Sequence, residues 1–89
     1  MNTPLVSFII TYHNEPVEMV EQCIDSILAL SLSDKEREIM LIDDGSDTNI
    51  LMALAAYHDK MTYIRQPNSG LSVARNTGLK MVSGTYIQF

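Results

Sequence analysis

Two adjacent carboxylates, Asp43 and Asp44, directly follow a short apolar run at residues 39–42, and Gly45 and Ser46 then turn the chain. Ionised carboxylates only accept hydrogen bonds, which suits the N–H groups of a nucleobase or the hydroxyls of a ribose. An unpaired charge does not extend a buried strand, so the pair is expected at the carboxyl edge of a sheet, where open α/β folds bind ligands. A second polar cluster is Thr11, Tyr12, His13, Asn14 and Glu15, ahead of Pro16; a third is Asn68 and Gly70 in the turn at residues 66–70. Together these could hold a nucleotide, with the helix start after Gly70 favouring phosphate. Each residue also has a plainer reading. The aspartates suit a solvated turn, His13 an exposed loop and Arg75 a surface charge, while Tyr12 suits either a core edge or a stacking platform.

The three clusters converge only if each follows a strand of one parallel sheet, and the sequence predicts that arrangement. Residues 5–11 are β-rich and nearly all apolar, as in a central strand covered on both faces. Val17, Val20, Ile24, Ile27 and Leu28 recur at helical spacing opposite Glu18, Glu21, Gln22 and Asp25, giving an amphipathic helix of about four turns that starts at Pro16. With the strand at 39–42 this makes a βαβ unit of parallel neighbours. Asp47 or Thr48 is expected to cap a second helix that buries Ile50, Leu51, Leu54 and Ala55. Residues 61–65 predict a third strand. Residues 71–83 predict a third helix, in which Ala74 and Gly78 permit close packing on a sheet and Gly84 caps the end. Residues 85–89 begin a fourth strand. The order β-α-β-α-β-α-β predicts an α/β fold, a doubly wound parallel sheet, in one unit over residues 1–89. Because such a fold seldom ends on an uncovered strand, the chain is expected to be the N-terminal piece of a larger domain, with an edge prone to self-association.

Composition narrows the function. A net charge of −5, with six basic residues scattered along the chain, argues against a nucleic-acid surface. A lone Cys23 and the lack of a charged leader before an apolar core lead to the expectation of a cytoplasmic setting, or of the cytoplasmic face of a membrane for a longer parent. Cys23 reads as a small core residue, His58 and Met52 as structural or exposed. With His13, His58 and one cysteine available, no zinc ligand set forms. A dinucleotide fold or a P-loop would place glycines after the first strand, where this chain has none.

The order of motifs is similar to that of family 2 glycosyltransferases. The resemblance rests on Thr11-Tyr12-His13-Asn14-Glu15, Asp43-Asp44-Gly45-Ser46, Asn68-Ser69-Gly70 with Ala74-Arg75-Asn76-Thr77-Gly78, and Gly84-Thr85-Tyr86-Ile87. It covers almost the whole chain. It implies the Rossmann-like, nucleotide-binding half of a GT-A fold, a nucleotide diphosphate sugar donor, commonly a UDP-sugar, and inverting transfer to a sugar, lipid or protein acceptor, as in cell-envelope polysaccharide synthesis. By position, residues 11–13 would border the base, Asp44 would meet the uracil imide N–H with Asp43 supporting its loop, and Arg75 would stand near the nucleotide or brace that loop. The family's aromatic residue before Asn is His13 here, preceded by Tyr12, so either ring could stack on the base. The resemblance also implies a divalent metal, Mg or Mn, held by an Asp-x-Asp motif that would follow residue 89. Its ligands and the catalytic base are then expected outside this chain, leaving it a binding half without catalysis.

Two other classes fit parts of the pattern. A flavodoxin-like regulatory module with an Mg²⁺-binding acidic site also sets acids beside a strand end, but it would put the pair after the first strand and a phosphorylated Asp after the third. A structural association module needs only the uncovered last strand.

Overall fold

Alternation of side chains along two central strands decides the architecture. In β1 (Val6–Tyr12), Phe8 and Tyr12 point to one face and Ile9 to the other; in β2 (Arg37–Asp44), Ile39 and Leu41 share the first face, Met40 and Ile42 the second. Both faces are apolar, so both must be covered. A computed structural model describes residues 4–84 and 86–89 and shows how this is done. Helix α1 (Val17–Leu28) lays Val20, Ile24 and Ile27 on the first face, where Ile50 and Leu54 join them. Helix α2 (Leu71–Met81) lies on the second face through Ala74 and Gly78. Each large side chain buried this way contributes roughly 1.5–3 kcal/mol.

With β3 (Thr62–Gln66) and β4 (Tyr86–Gln88), the sheet is wholly parallel in the order β3-β2-β1-β4. The doubly wound α/β reading therefore holds. Tyr12 pairs with Asp43, and Asp43 and Asp44 pair with Arg65 and Gln66, so three strands finish level at the carboxyl edge. Strand β4 pairs only with the first half of β1, and Tyr86, Ile87 and Phe89 are exposed. Thr85, expected to open that strand, lies outside the described residues.

Several expectations are corrected. Strand β2 is longer than residues 39–42 and contains both aspartates, buried, because each carboxylate is supplied with hydrogen-bond donors. No α-helix follows Asp47: the segment winds through tight turns and one 3-10 turn, Ala55–Tyr57. Of the four residues expected to be buried there, Ile50 and Leu54 are, with Tyr57 partly buried beside them, whereas Leu51 and Ala55 face solvent, and so few anchors do not offset the cost of nucleating a helix. Asp47 caps nothing; its own N–H is held by Asn14. Helix α2 stops at Met81 with Val82 extended, so Gly84 is not its cap. Instead the Gly84 N–H donates to Ser7 Oγ, whose hydroxyl in turn donates to Glu38, tying the α2–β4 connection to the sheet.

At the α2 crossing a Cβ on Gly78 would stand 2.6 Å from Ile9 Cγ2, and Ile9 is itself buried. Gly78→Ala gains about 1 kcal/mol of helix propensity but overpacks a branched, immobile neighbour at about 1–3 kcal/mol. A net loss of stability is expected in urea unfolding; a variant more stable than the parent would show that α2 can lift from the sheet freely.

Candidate functional site

The level strand ends deliver three loops to one place. Between them opens a cleft of about 390 Å³ lined by Thr11, Tyr12, His13, Glu15, Asp44, Asn68, Gly70, Leu71 and Ala74. This is within the usual range of small-molecule sites.

Asp44 joins the third loop to the sheet. Its Oδ1 accepts from the Ser69 N–H at 2.8 Å and from Gln66 Nε2 at 2.9 Å, and its Oδ2 accepts from the Gly70 N–H at 2.9 Å. The carboxylate thus sits where an anion would bind ahead of α2, so the phosphate seat expected at that helix start is already taken by the protein. The Gln66 side chain first, then the Ser69 and Gly70 N–H groups and the nearby His13, hold the Asp44 carboxyl below the ordinary carboxylate value against the opposing effect of burial.

Asp43 points the other way and is fully buried. Its Oδ1 accepts from the Ser46 N–H at 3.0 Å; its Oδ2 accepts from the Tyr63 hydroxyl and lies 4.0 Å from the Arg65 guanidinium. Burial, then the hydrogen bond to Asp43, push the Tyr63 phenol up to about 12. Asp43 therefore shapes the loop and does not reach the cleft, which corrects its place among the ligand-binding residues. Gly45 has a φ of 72° and lies against Asn68, where a Cβ would meet the Asn68 nitrogen at 2.4 Å, so only glycine lets the second and third loops pack.

Asn14 links the first loop to the second. Its backbone has a φ of 59°, its N–H donates to Ser46 Oγ at 3.0 Å, and its Oδ1 accepts from the Asp47 N–H at 2.9 Å. Asn14, Gly45 and Ser46 build the wall of the cleft without lining it.

The two rings of the first loop separate cleanly. Tyr12 is buried within the α1 face of the core, and its hydroxyl donates to the Glu15 carbonyl at 2.6 Å. His13 is exposed at the cleft, and its Nδ1–H donates to the Asp44 main-chain carbonyl at 2.8 Å. In the neutral ring that bond leaves Nε2 as an acceptor, 3.3 Å from Asn68 Nδ2. The Glu15 carboxylate accepts from the His13 N–H and fixes the turn. Arg75 does not stand in the cleft. Its guanidinium lies 5.6 Å from the centre of the Phe89 ring, a cation–π contact at the end of β4, so neither expected position for it is found.

Tyr63, Gln66 and Thr77 were not evident as site-building residues in the sequence. For Tyr63 and Gln66 the signal is the pairing of β3 with β2, which sets Gln66 opposite Asp44; Thr77, in α2, has none. Among the described residues no three His, Cys, Asp or Glu side chains gather as metal ligands, and the oxygens of Asp43 and Asp44 already accept from protein donors. These residues do not fit a divalent cation.

Comparison with known proteins adds to this geometry. Residues 7–89 match Glycosyl transferase family 2. The chain is 46% identical over 90 residues to the uncharacterized glycosyltransferase EpsJ of Bacillus subtilis, covering 97% of this chain and 25% of EpsJ. It is 40% identical over 81 residues to glycosyltransferase GlyA of Streptococcus pneumoniae, covering 83% of this chain and 11% of GlyA. The chain thus spans a quarter or less of either relative. Among solved structures, the mannosyltransferase PcManGT from Pyrobaculum calidifontis, in complex with GDP-Man and Mn2+, superposes with a TM-score of 0.79 at 23% identity, covering 96% of this chain and 26% of that one. This last likeness concerns the fold alone.

The lowered Asp44 value has a defined consequence. A carboxyl depressed in the folded state contributes stability that is complete above its unfolded value, about 3.9, and is lost as pH falls through the lower folded value. Asp44→Asn is expected to reduce stability at neutral pH and to flatten the acid limb of urea midpoints between about pH 5 and pH 2. Asp34, lowered by Lys60 and Arg37, steepens that limb equally in both proteins, so the difference isolates Asp44. Parallel acid limbs would show that Asp44 is not held as described.

Proposed function

This chain belongs to glycosyl transferase family 2, and we propose that it is the donor-binding part of a glycosyltransferase, seating the nucleoside of a UDP-sugar in the cleft between the first and third loops. The observation that carries this reading is the remaining capacity of Asp44. A carboxylate offers about four acceptor positions, and protein donors fill three of them, leaving one on Oδ2. One acceptor at the cleft suits a base edge with one N–H, as in the uracil imide. Guanine presents two adjacent N–H donors and calls for both carboxylate oxygens, of which Oδ1 is already saturated. GDP-Man in the complex of PcManGT supports a nucleotide sugar in this fold; the preference for uridine is argued from Asp44.

His13 is the platform for the base in this reading. It is the exposed ring of the pair, and its bond to the Asp44 carbonyl holds the imidazole beside the acceptor position. Thr11 and Asn68 border the same space. The residues present bind and orient the donor. A divalent metal such as the Mn2+ in the PcManGT complex would neutralise the leaving diphosphate, and its ligands would come from residues other than these.

Titration with UDP and with GDP, followed by backbone amide shifts, tests the reading. Shifts are expected in the loops after β1, β2 and β3, with UDP binding tighter than GDP. His13→Ala is expected to weaken UDP by about tenfold, the lower range of base stacking on a side-chain ring, with little change in urea midpoint because the ring is exposed. Spectra unchanged at millimolar UDP would defeat the assignment, and tighter GDP binding would defeat the choice of uridine.

A further inference from the structure

We propose that Thr77 and Gln66 are positioning residues for Asp44: the Thr77 hydroxyl fixes which way round the Gln66 amide sits, and the amide so held keeps the carboxylate in place at the edge of the cleft. Thr77 Oγ1 lies 2.6 Å from Gln66 Oε1, and Gln66 Nε2 lies 2.9 Å from Asp44 Oδ1. The relay crosses from the middle of α2 through the last residue of β3 to the last residue of β2. Its functional consequence rests on the nucleotide-binding reading above; its geometry does not.

Direction follows from the chemistry of the three groups. An ionised carboxylate cannot donate, so the amide must present its nitrogen to Asp44 and its oxygen to Thr77. That oxygen needs a donor, and the hydroxyl has one hydrogen to give. The competing acceptor is the Val73 carbonyl one turn back, at 3.0 Å. Gln66 Oε1 is the nearer of the two, and it is the acceptor the amide orientation requires. Without the hydroxyl, the half-buried oxygen of Gln66 has no partner there and the amide is drawn toward water, away from Asp44.

The consequence is read at Asp44 itself. The Gln66 hydrogen bond is the largest influence that lowers its carboxyl, ahead of the Ser69 and Gly70 N–H groups and His13. His13 is the titratable group facing Asp44 from the first loop; Asp43, next along β2, points to the opposite side and is held by Tyr63 and Arg65. Loss of the relay therefore shifts the Asp44 titration upward, and Gln66→Met does so with α2 and the Ser69 and Gly70 N–H donors left in place.

The 89-residue chain serves for the test. The Asp44 carboxyl carbon is titrated by NMR in the parent, Thr77→Val, Thr77→Ser and Gln66→Met, and UDP affinity is measured for each. Thr77→Val keeps the side-chain shape and removes the hydroxyl. Its Asp44 midpoint is expected above the parent's, with UDP weakened about threefold to tenfold, the effect of one lost hydrogen bond. Thr77→Ser is expected to restore both. Gln66→Met, which removes the amide from outside the helix, is expected to raise the midpoint even if Thr77→Val fails to fold. An Asp44 midpoint unmoved in Gln66→Met, unmoved in a folded Thr77→Val, or moved as far by Thr77→Ser overturns the relay. A parent chain that does not bind UDP overturns the nucleotide reading instead, and the titrations then decide the relay alone.

Discussion

A buried carboxylate has to be matched by donors, and at the carboxyl edge of this sheet that requirement organises the site. Asp43 and Asp44 are consecutive residues of β2, so they point in opposite directions. One gathers Ser46, Tyr63 and Arg65; the other gathers Gln66, Ser69 and Gly70. Removing one partner from such an arrangement costs more than the pair contributes, because the other is left buried and unmet. The two acids thus fold the loops around themselves, and the cleft is the space left between those loops. Their use as structure also limits their use as ligands: Asp43 is turned away from the cleft, and Asp44 keeps one acceptor position.

The fold makes this economical. Strands β1, β2 and β3 end level, so short loops are enough to bring Asn14 against Ser46 and Gly45 against Asn68. Strand β4 lies on the far side of β1 from β2, so connections leave the middle of the sheet in both directions. A crevice at such a reversal is the general place for ligands in open parallel sheets. Helix α2 can come close enough to place Thr77 against Gln66 because Gly78 has no side chain where it meets Ile9.

How far the sequence could be read depended on whether the signal was local. The apolar runs of β1 and β2 and the helical spacing in α1 are properties of single segments, and both faces of the sheet follow from them. The segment after Asp47 misled because its apolar residues lie at helical spacing, yet of the four expected to be buried only Ile50 and Leu54 are. The aspartates misled in the opposite sense. Their charge marked the end of a strand in the sequence, whereas donors supplied from residues 46, 63, 66, 69 and 70 allow them to remain in it.

The candidate site divides along the same line. Residue types and motif order were enough to identify the family, the three loops and most of the residues that line the cleft, because polar residues at loop positions are marked by the strand pattern itself. Which ring of the first loop is exposed at the cleft, which aspartate borders it and where Arg75 lies were settled only by tertiary structure. Several of those outcomes depend on contacts between residues distant in the chain, such as Asp44 with Gly70 and His13 with the Asp44 carbonyl. A chain read in order carries no information about which distant donor will reach a given carboxylate first.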